Sequence, residues 1–134
     1  SWNVIPESMV GHSSGETAAA FSTGAITREL TWTIAYYRGQ VSAQAAASSE
    51  NYKIPLCGGS MMSVAISEAQ LASYPERLDP CISSVIQPGC INSPQNITVT
   101  ASEASIDALT MMLDDDQIFA RKLSVKVAYH SPQM

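Results

Sequence analysis

The chain has 134 residues, 46% hydrophobic and 14% charged, the make-up of one small globular domain with enough apolar material for a core. A formal net charge of −5, with only seven scattered Lys and Arg, argues against nucleic acid as a partner, because phosphate binding needs clustered cations. No apolar run reaches the roughly 20 residues of a membrane span, and the start lacks the basic and apolar regions of a secretory signal, so a soluble, cytoplasmic protein with no membrane partner is expected. Cys57, Cys81 and Cys90 are spaced neither as a disulfide framework nor as a zinc site; buried free thiols and no metal are expected. The sequence lacks an initiating Met, opens just before one informative motif and stops just after another, as a fragment would.

In chain order, Glu7 to Val10 turns apolar and predicts a strand, Gly11 to Gly15 a tight turn, and the alanine-rich Glu16 to Phe21 a helix. Gly24 ends that helix and Thr27 caps a second, whose Leu30, Ile34, Tyr37 and Val41 recur at helical spacing and predict a core face. Small residues from Ala45 to Ser49 end it, and Pro55 with Gly58-Gly59 marks a subdomain boundary. Ser60 to Ile66 suits a buried strand, and Ser67-Glu68-Ala69-Gln70 is a capping box opening a short helix that Pro75 limits. Cys90 to Asn92 and Asn96 to Thr100 predict two strands joined by a turn at Ser93-Pro94-Gln95. Ser102 or Thr100 caps a further helix with Ile106, Leu109 and Leu113 on one face, ending near Asp114 to Asp116, where the helix dipole disfavours carboxylates. Alternating Leu123, Val125 and Val127 predict a half-exposed last strand. From Ser60 to Tyr129 the order is β-α-β-β-α-β, the ferredoxin-like order.

The chemistry concentrates in three places. In Gly11-His12-Ser13-Ser14-Gly15-Glu16, a serine between glycines at a strand-to-helix turn fits an elbow that exposes the hydroxyl. The Ser14 N–H, at the start of the helix, then points toward a developing oxyanion. A serine needs a base, and the chain has only His12 and His130. His12 adjoins Ser13 and diverges from it on an elbow, which leaves His130, just beyond a strand. Arg38, in Tyr36-Tyr37-Arg38-Gly39 on the apolar side of the second helix, is either an internal salt-bridge partner or a fork for a substrate carboxylate; the sequence leaves both open. Asp114 to Asp116 read as a solvated turn rather than a metal site.

Together these motifs resemble the acyltransferase domain of type I polyketide synthases, in particular the fungal iterative kind. Gly11 to Glu16 resembles its nucleophile motif, Tyr36 to Gly39 its arginine motif, Val127-Ala128-Tyr129-His130-Ser131 its histidine motif and Cys90-Ile91-Asn92-Ser93-Pro94 a stretch lining the same cleft. Arg38 follows Ser13 by 25 residues, as in that family. The resemblance implies an α/β fold: part of an α/β-hydrolase-like core (1–59), an inserted ferredoxin-like subdomain (60–128) and a return to the core (129–134). It implies that Ser13 and His130 are catalytic, with no bound cofactor. Ser13 would carry a malonyl group from malonyl-CoA to the phosphopantetheine thiol of an acyl carrier protein, expected on the same polypeptide. Arg38, His12, Ser14, Asn92 and Tyr129 are the implied substrate-binding residues. Arg38 would pair with the malonyl carboxylate, and the bulk of Tyr129 would disfavour methylmalonyl. Family members continue well beyond both ends, with further parts of the site. The rival readings are a thioesterase or esterase of the α/β-hydrolase type, with Asp107 or the Asp114 group as its acid, and a non-catalytic module of a synthase.

Overall fold

The computed structural model describes residues 5–51, 59–80, 86–125 and 127–131, and the chain divides into two compact units, Ser1–Ser42 and Ala43–Met134. Cys57, Cys81 and the break at Pro55 and Gly58 lie outside the described residues. Among the described residues no helix is long and apolar enough to cross a membrane.

In the first unit, helix α1 spans Gly15–Ser22, where three consecutive alanines supply high helix propensity. It ends in paired terminal bonds, Ala25 N–H to the Ala20 carbonyl (2.9 Å) and Gly24 N–H to that of Phe21 (3.0 Å), with Gly24 left-handed at φ 76°. Thr27 caps helix α2 (Arg28–Asn51): its hydroxyl accepts from the Leu30 N–H at 3.2 Å, and its carbonyl from the Thr31 N–H at 3.0 Å. The helix runs on past the small residues at 45–49 that were expected to end it.

Two expectations fail here. Residues 7–10 form no strand, and Val10 is 97% exposed. An extended segment becomes a strand only by sharing a ladder with another, and none of the described strands pairs with it. The face of Leu30, Ile34, Tyr37 and Val41 is not core: Ile34 is half-buried and the other three are exposed, as are Trp32 and Tyr36. Periodicity shows which residues share a face and not whether anything covers it.

The second unit holds the core. Strands β1 (Gly59–Val64), β2 (Gln87–Ser93), β3 (Asn96–Ser102) and β4 (Ala120–Lys122) form one antiparallel sheet in the order β2-β3-β1-β4. Helix α3 (Glu68–Leu71) follows β1, and α4 (Glu103–Asp115) follows β3. The expected capping box is present: Ser67 Oγ accepts from the Gln70 N–H, and Gln70 Oε1 accepts from the Ser67 N–H at 2.9 Å. A single turn of 3₁₀ helix, Pro75–Arg77, begins at the predicted proline. Pro94 and Gln95 turn the β2–β3 hairpin, with Ser93 paired to Asn96. Ser102 caps α4 by accepting from the Ser105 N–H at 3.1 Å.

Met62 and Val64 of β1, Ile97 and Val99 of β3, and Ile106, Leu109 and Leu113 of α4 are completely enclosed, and Leu71 and Tyr74 are buried in the same cluster. Removing one such leucine to Ala costs about 2–5 kcal/mol, the lost transfer energy plus the cavity. Lys122 binds α4 to the edge strand through Glu103 (2.9 Å) and Asp107 (2.8 Å). Asp116 is no simple solvated turn. As the C-cap of α4 it accepts from Tyr74 Oη and from Arg77, both at 2.8 Å, and these donors hold its carboxyl below the usual range.

The last strand also differs from expectation. It covers Ala120–Lys122 and stops before the alternating valines, because Val125 N–H turns back to the Leu123 carbonyl at 2.8 Å and the chain leaves the extended path.

Candidate active site

Each site residue takes its geometry from the backbone that carries it. Ser13 has φ 53°, in the left-handed region that residues with a β-carbon seldom enter. The turn is closed by Gly15 N–H donating to the His12 carbonyl (2.9 Å) and Glu16 N–H to that of Ser13 (3.1 Å). A Cβ on Gly11 would meet the Gly15 carbonyl carbon and oxygen at 2.3 Å and the Glu16 nitrogen at 2.4 Å, so only glycine fits. Around Gly15, by contrast, a Cβ would meet nothing within 4 Å. The sequence pairs the two glycines symmetrically; the structure makes one of them sterically obligatory.

Ser14 is the N-cap of α1, with φ −61° and ψ −20°. Its own N–H has no hydrogen-bond partner among the described residues, whereas those of Gly15 and Glu16 are taken by carbonyls. An N–H of that kind at the positive end of a helix can donate to a developing oxyanion. His12 is exposed, and Ser13 is half-buried.

Arg38 lies in α2, in the same unit as Ser13. It is exposed rather than inward-facing, since nothing covers that face of α2 within its unit, and among the described residues no carboxylate pairs with it. Tyr36 and Tyr37 before it make an edge-to-face pair, centroids 5.3 Å apart.

Asn92, Tyr129 and His130 belong to the second unit. Asn92, exposed on the edge strand β2, donates from Nδ2 to Asn96 Oδ1 (3.0 Å) and Thr98 Oγ1 (3.1 Å). Tyr129 is half-buried and His130 exposed, in a turn eight residues beyond the end of β4 rather than just beyond a strand. His130 has φ 60°, left-handed like Ser13. The two residues that the resemblance nominates as catalytic thus both occupy a conformation that their surroundings must impose. Nothing in the sequence around His130 signals this, because no glycine marks the turn. Cys90, half-buried in β2, is a free thiol.

The match to the family model described as "Acyl transferase domain" runs over residues 1–134. The chain is 44% identical over 136 residues to the partially reducing polyketide synthase men1 of Menisporopsis theobromae, and 46% identical over 134 residues to the highly reducing polyketide synthase alnA of Emericella nidulans. Both matches cover 100% of this chain and 5% of the relative, so the chain spans about one-twentieth of the length of these proteins. Among solved structures, the acyltransferase domain from module 8 of the salinomycin polyketide synthase superposes with a TM-score of 0.75 at 26% identity, covering 98% of this chain and 28% of that one. With a family match over its whole length and an α/β architecture shared with a solved member, the chain belongs to the acyltransferase domain family of polyketide synthases.

Proposed function

We propose that the protein carrying this chain moves a malonyl unit from CoA to the phosphopantetheine thiol of an acyl carrier protein through an ester on Ser13, in the cytoplasm. The observation that carries the reading is the Ser13 turn: a left-handed serine at a helix N-terminus, over a Gly11 that has no room for a side chain. In the first half-reaction His130 takes the Ser13 proton as Oγ attacks the thioester carbonyl. The C–S bond then breaks and CoA leaves as the thiol, taking that proton from His130. In the second half the carrier thiol, deprotonated by His130, attacks the Ser13 ester and regenerates the hydroxyl. The Ser14 N–H is the proposed oxyanion donor within this chain. Arg38 is proposed to hold the malonyl carboxylate, which agrees with its lacking a carboxylate partner among the described residues. His12, Asn92 and Tyr129 are proposed to line the substrate, with Tyr129 crowding a 2-methyl group. A carrier domain on the same polypeptide is the proposed acceptor.

The finer architecture is part of the same proposal: residues 1–59 and 129–134 in an α/β-hydrolase-like core and 60–128 as an inserted ferredoxin-like subdomain. The antiparallel order β2-β3-β1-β4, with one helix after β1 and another after β3, supports it. The hydrolase alternative needs an acid for its histidine, and two of its candidates are engaged elsewhere: Asp107 with Lys122, and Asp116 with Arg77 and Tyr74. The test is mass spectrometry of the full-length protein incubated with malonyl-CoA. A malonyl adduct on the Ser13 peptide, absent in Ser13→Ala, is expected; an adduct that persists in that variant refutes the assignment. Release of the malonyl group unaffected by added carrier protein would instead favour hydrolysis.

A further inference from the structure

His130 is the only residue of its unit, among the described ones, that combines a left-handed backbone with an imidazole side chain; the other left-handed non-glycine residue there is Gln117. A left-handed residue with a β-carbon persists only where neighbouring contacts outweigh its steric cost. Two sets of contacts do so here.

On the N-terminal side the segment is anchored by burial, with Val127 at 7% exposure and Ala128 at 0%, and Tyr129 N–H closes a turn onto the Val127 carbonyl at 3.1 Å. The β2 backbone runs close to the same turn. At Gly89, in the irregular stretch between Pro88 and Cys90, a Cβ would lie 3.5 Å from the Tyr129 carbonyl oxygen and 2.6 Å from Thr100 Cγ2. On the C-terminal side Ser131 Oγ donates to the Ala128 carbonyl at 2.6 Å. That bond spans His130: one end is fixed in the core and the other lies immediately after the histidine. It therefore limits the rotations that could relax His130 out of its left-handed state.

We propose that Ser131 is a positioning residue, its hydroxyl fixing the turn that aims the His130 imidazole. This rests on the reading of His130 as the base. In this role Ser131 acts through the backbone of its neighbour rather than on a reacting atom.

The experiment compares Ser131→Ala, Ser131→Val, Ser131→Thr and His130→Ala in the full-length protein. Single-turnover malonylation of Ser13 is followed by quenched-flow mass spectrometry over a range of malonyl-CoA concentrations. Valine and threonine are nearly equal in volume, and only threonine keeps the hydroxyl. The maximal rate is expected to fall about 10- to 100-fold in the Ala and Val variants, the scale of a misplaced general base, while the half-saturating concentration stays within about twofold. The Thr variant should hold its maximal rate within about threefold of the parent. Equal rates for Val and Thr would overturn the proposal, as would a change confined to half-saturation. Folding is checked by circular dichroism. If Ala and Val both fail to fold while Thr folds, the hydroxyl serves stability and the proposal falls. Unimpaired malonylation in His130→Ala would refute the base assignment itself; a large loss there, with Ser131→Val at the parent rate, would refute only the role of Ser131.

Discussion

The sharpest test of the nucleophile turn is Gly11→Ala, because the obstacle to a side chain is backbone and not a movable neighbour. The new methyl would lie 2.3 Å from Gly15 C and O and 2.4 Å from Glu16 N, where ordinary contact begins at 3.4 Å. The loop and the first turn of α1 must therefore separate by about 1 Å, at about 1–3 kcal/mol of overpacking strain. Glu16 N is also the donor to the Ser13 carbonyl, and Gly15 closes the turn through its own N–H onto His12, so the displacement passes directly to Ser13 and to the Ser14 N–H beside it. A shift of about 1 Å at a reacting group costs about 100-fold in rate. Gly11→Ala should thus reduce malonylation of Ser13 by about two orders of magnitude in a protein that still folds. Gly15→Ala, entering open space at the first helical position, is the control and should lose less. Quantitative mass spectrometry of the Ser13 peptide after a short pulse of malonyl-CoA reads both. Parent-level labelling in Gly11→Ala, or a greater loss in Gly15→Ala, would refute the argument that close approach at Gly11 shapes the turn.

Arg38→Ala should lower malonyl transfer about 10- to 100-fold, the worth of a charge-assisted fork of about 1.5–3 kcal/mol, while acetyl transfer rises relative to it. Competition between the two CoA esters reads this, and equal loss of both would indicate a structural cation. Ser60 Oγ is buried in β1 with no hydrogen-bond partner among the described residues, so Ser60→Ala should raise stability by about 1 kcal/mol in urea melts, and a loss of similar size would reveal a missed partner. The Asp116 carboxyl is held below its usual range by hydrogen bonds from Arg77 and then Tyr74. Its stabilisation is therefore complete above the unfolded value of about 4 and disappears as pH falls through the lower folded value. Asp116→Asn should melt lower than the parent at pH 7, and the gap should close on acidification below about pH 4; a gap independent of pH would place its origin outside this ion pair.

The sequence was most legible where local chemistry decides the outcome. The Ser67–Gln70 box, the Ser102 and Thr27 caps, the Pro94-Gln95 turn and the buried stripe of Ile106, Leu109 and Leu113 are each set by residues within a turn or two, and all are present. The serine motif was legible for the same reason, since glycine spacing reports a backbone conformation directly. Coverage and long-range pairing are not local quantities. The helical spacing of Leu30, Tyr37 and Val41 could not show that these side chains stand exposed in their unit, and the apolar segment at 7–10 could not reveal that none of the described strands pairs with it. Alternation at Leu123, Val125 and Val127 resembled a strand, yet the ladder of β1 with its edge neighbour ends at Lys122, and a backbone turn at Val125 redirects the chain. Tertiary structure alone brought Asp116 to Tyr74 and Arg77 across about 40 residues of chain, and set His130 in a left-handed turn anchored by a buried alanine. The sequence by itself determined the local caps and turns, the Gly11–Gly15 turn among them, and nominated the residues of the candidate site. Their backbone strain and their burial depend on contacts distant in sequence, so only the folded chain could decide them.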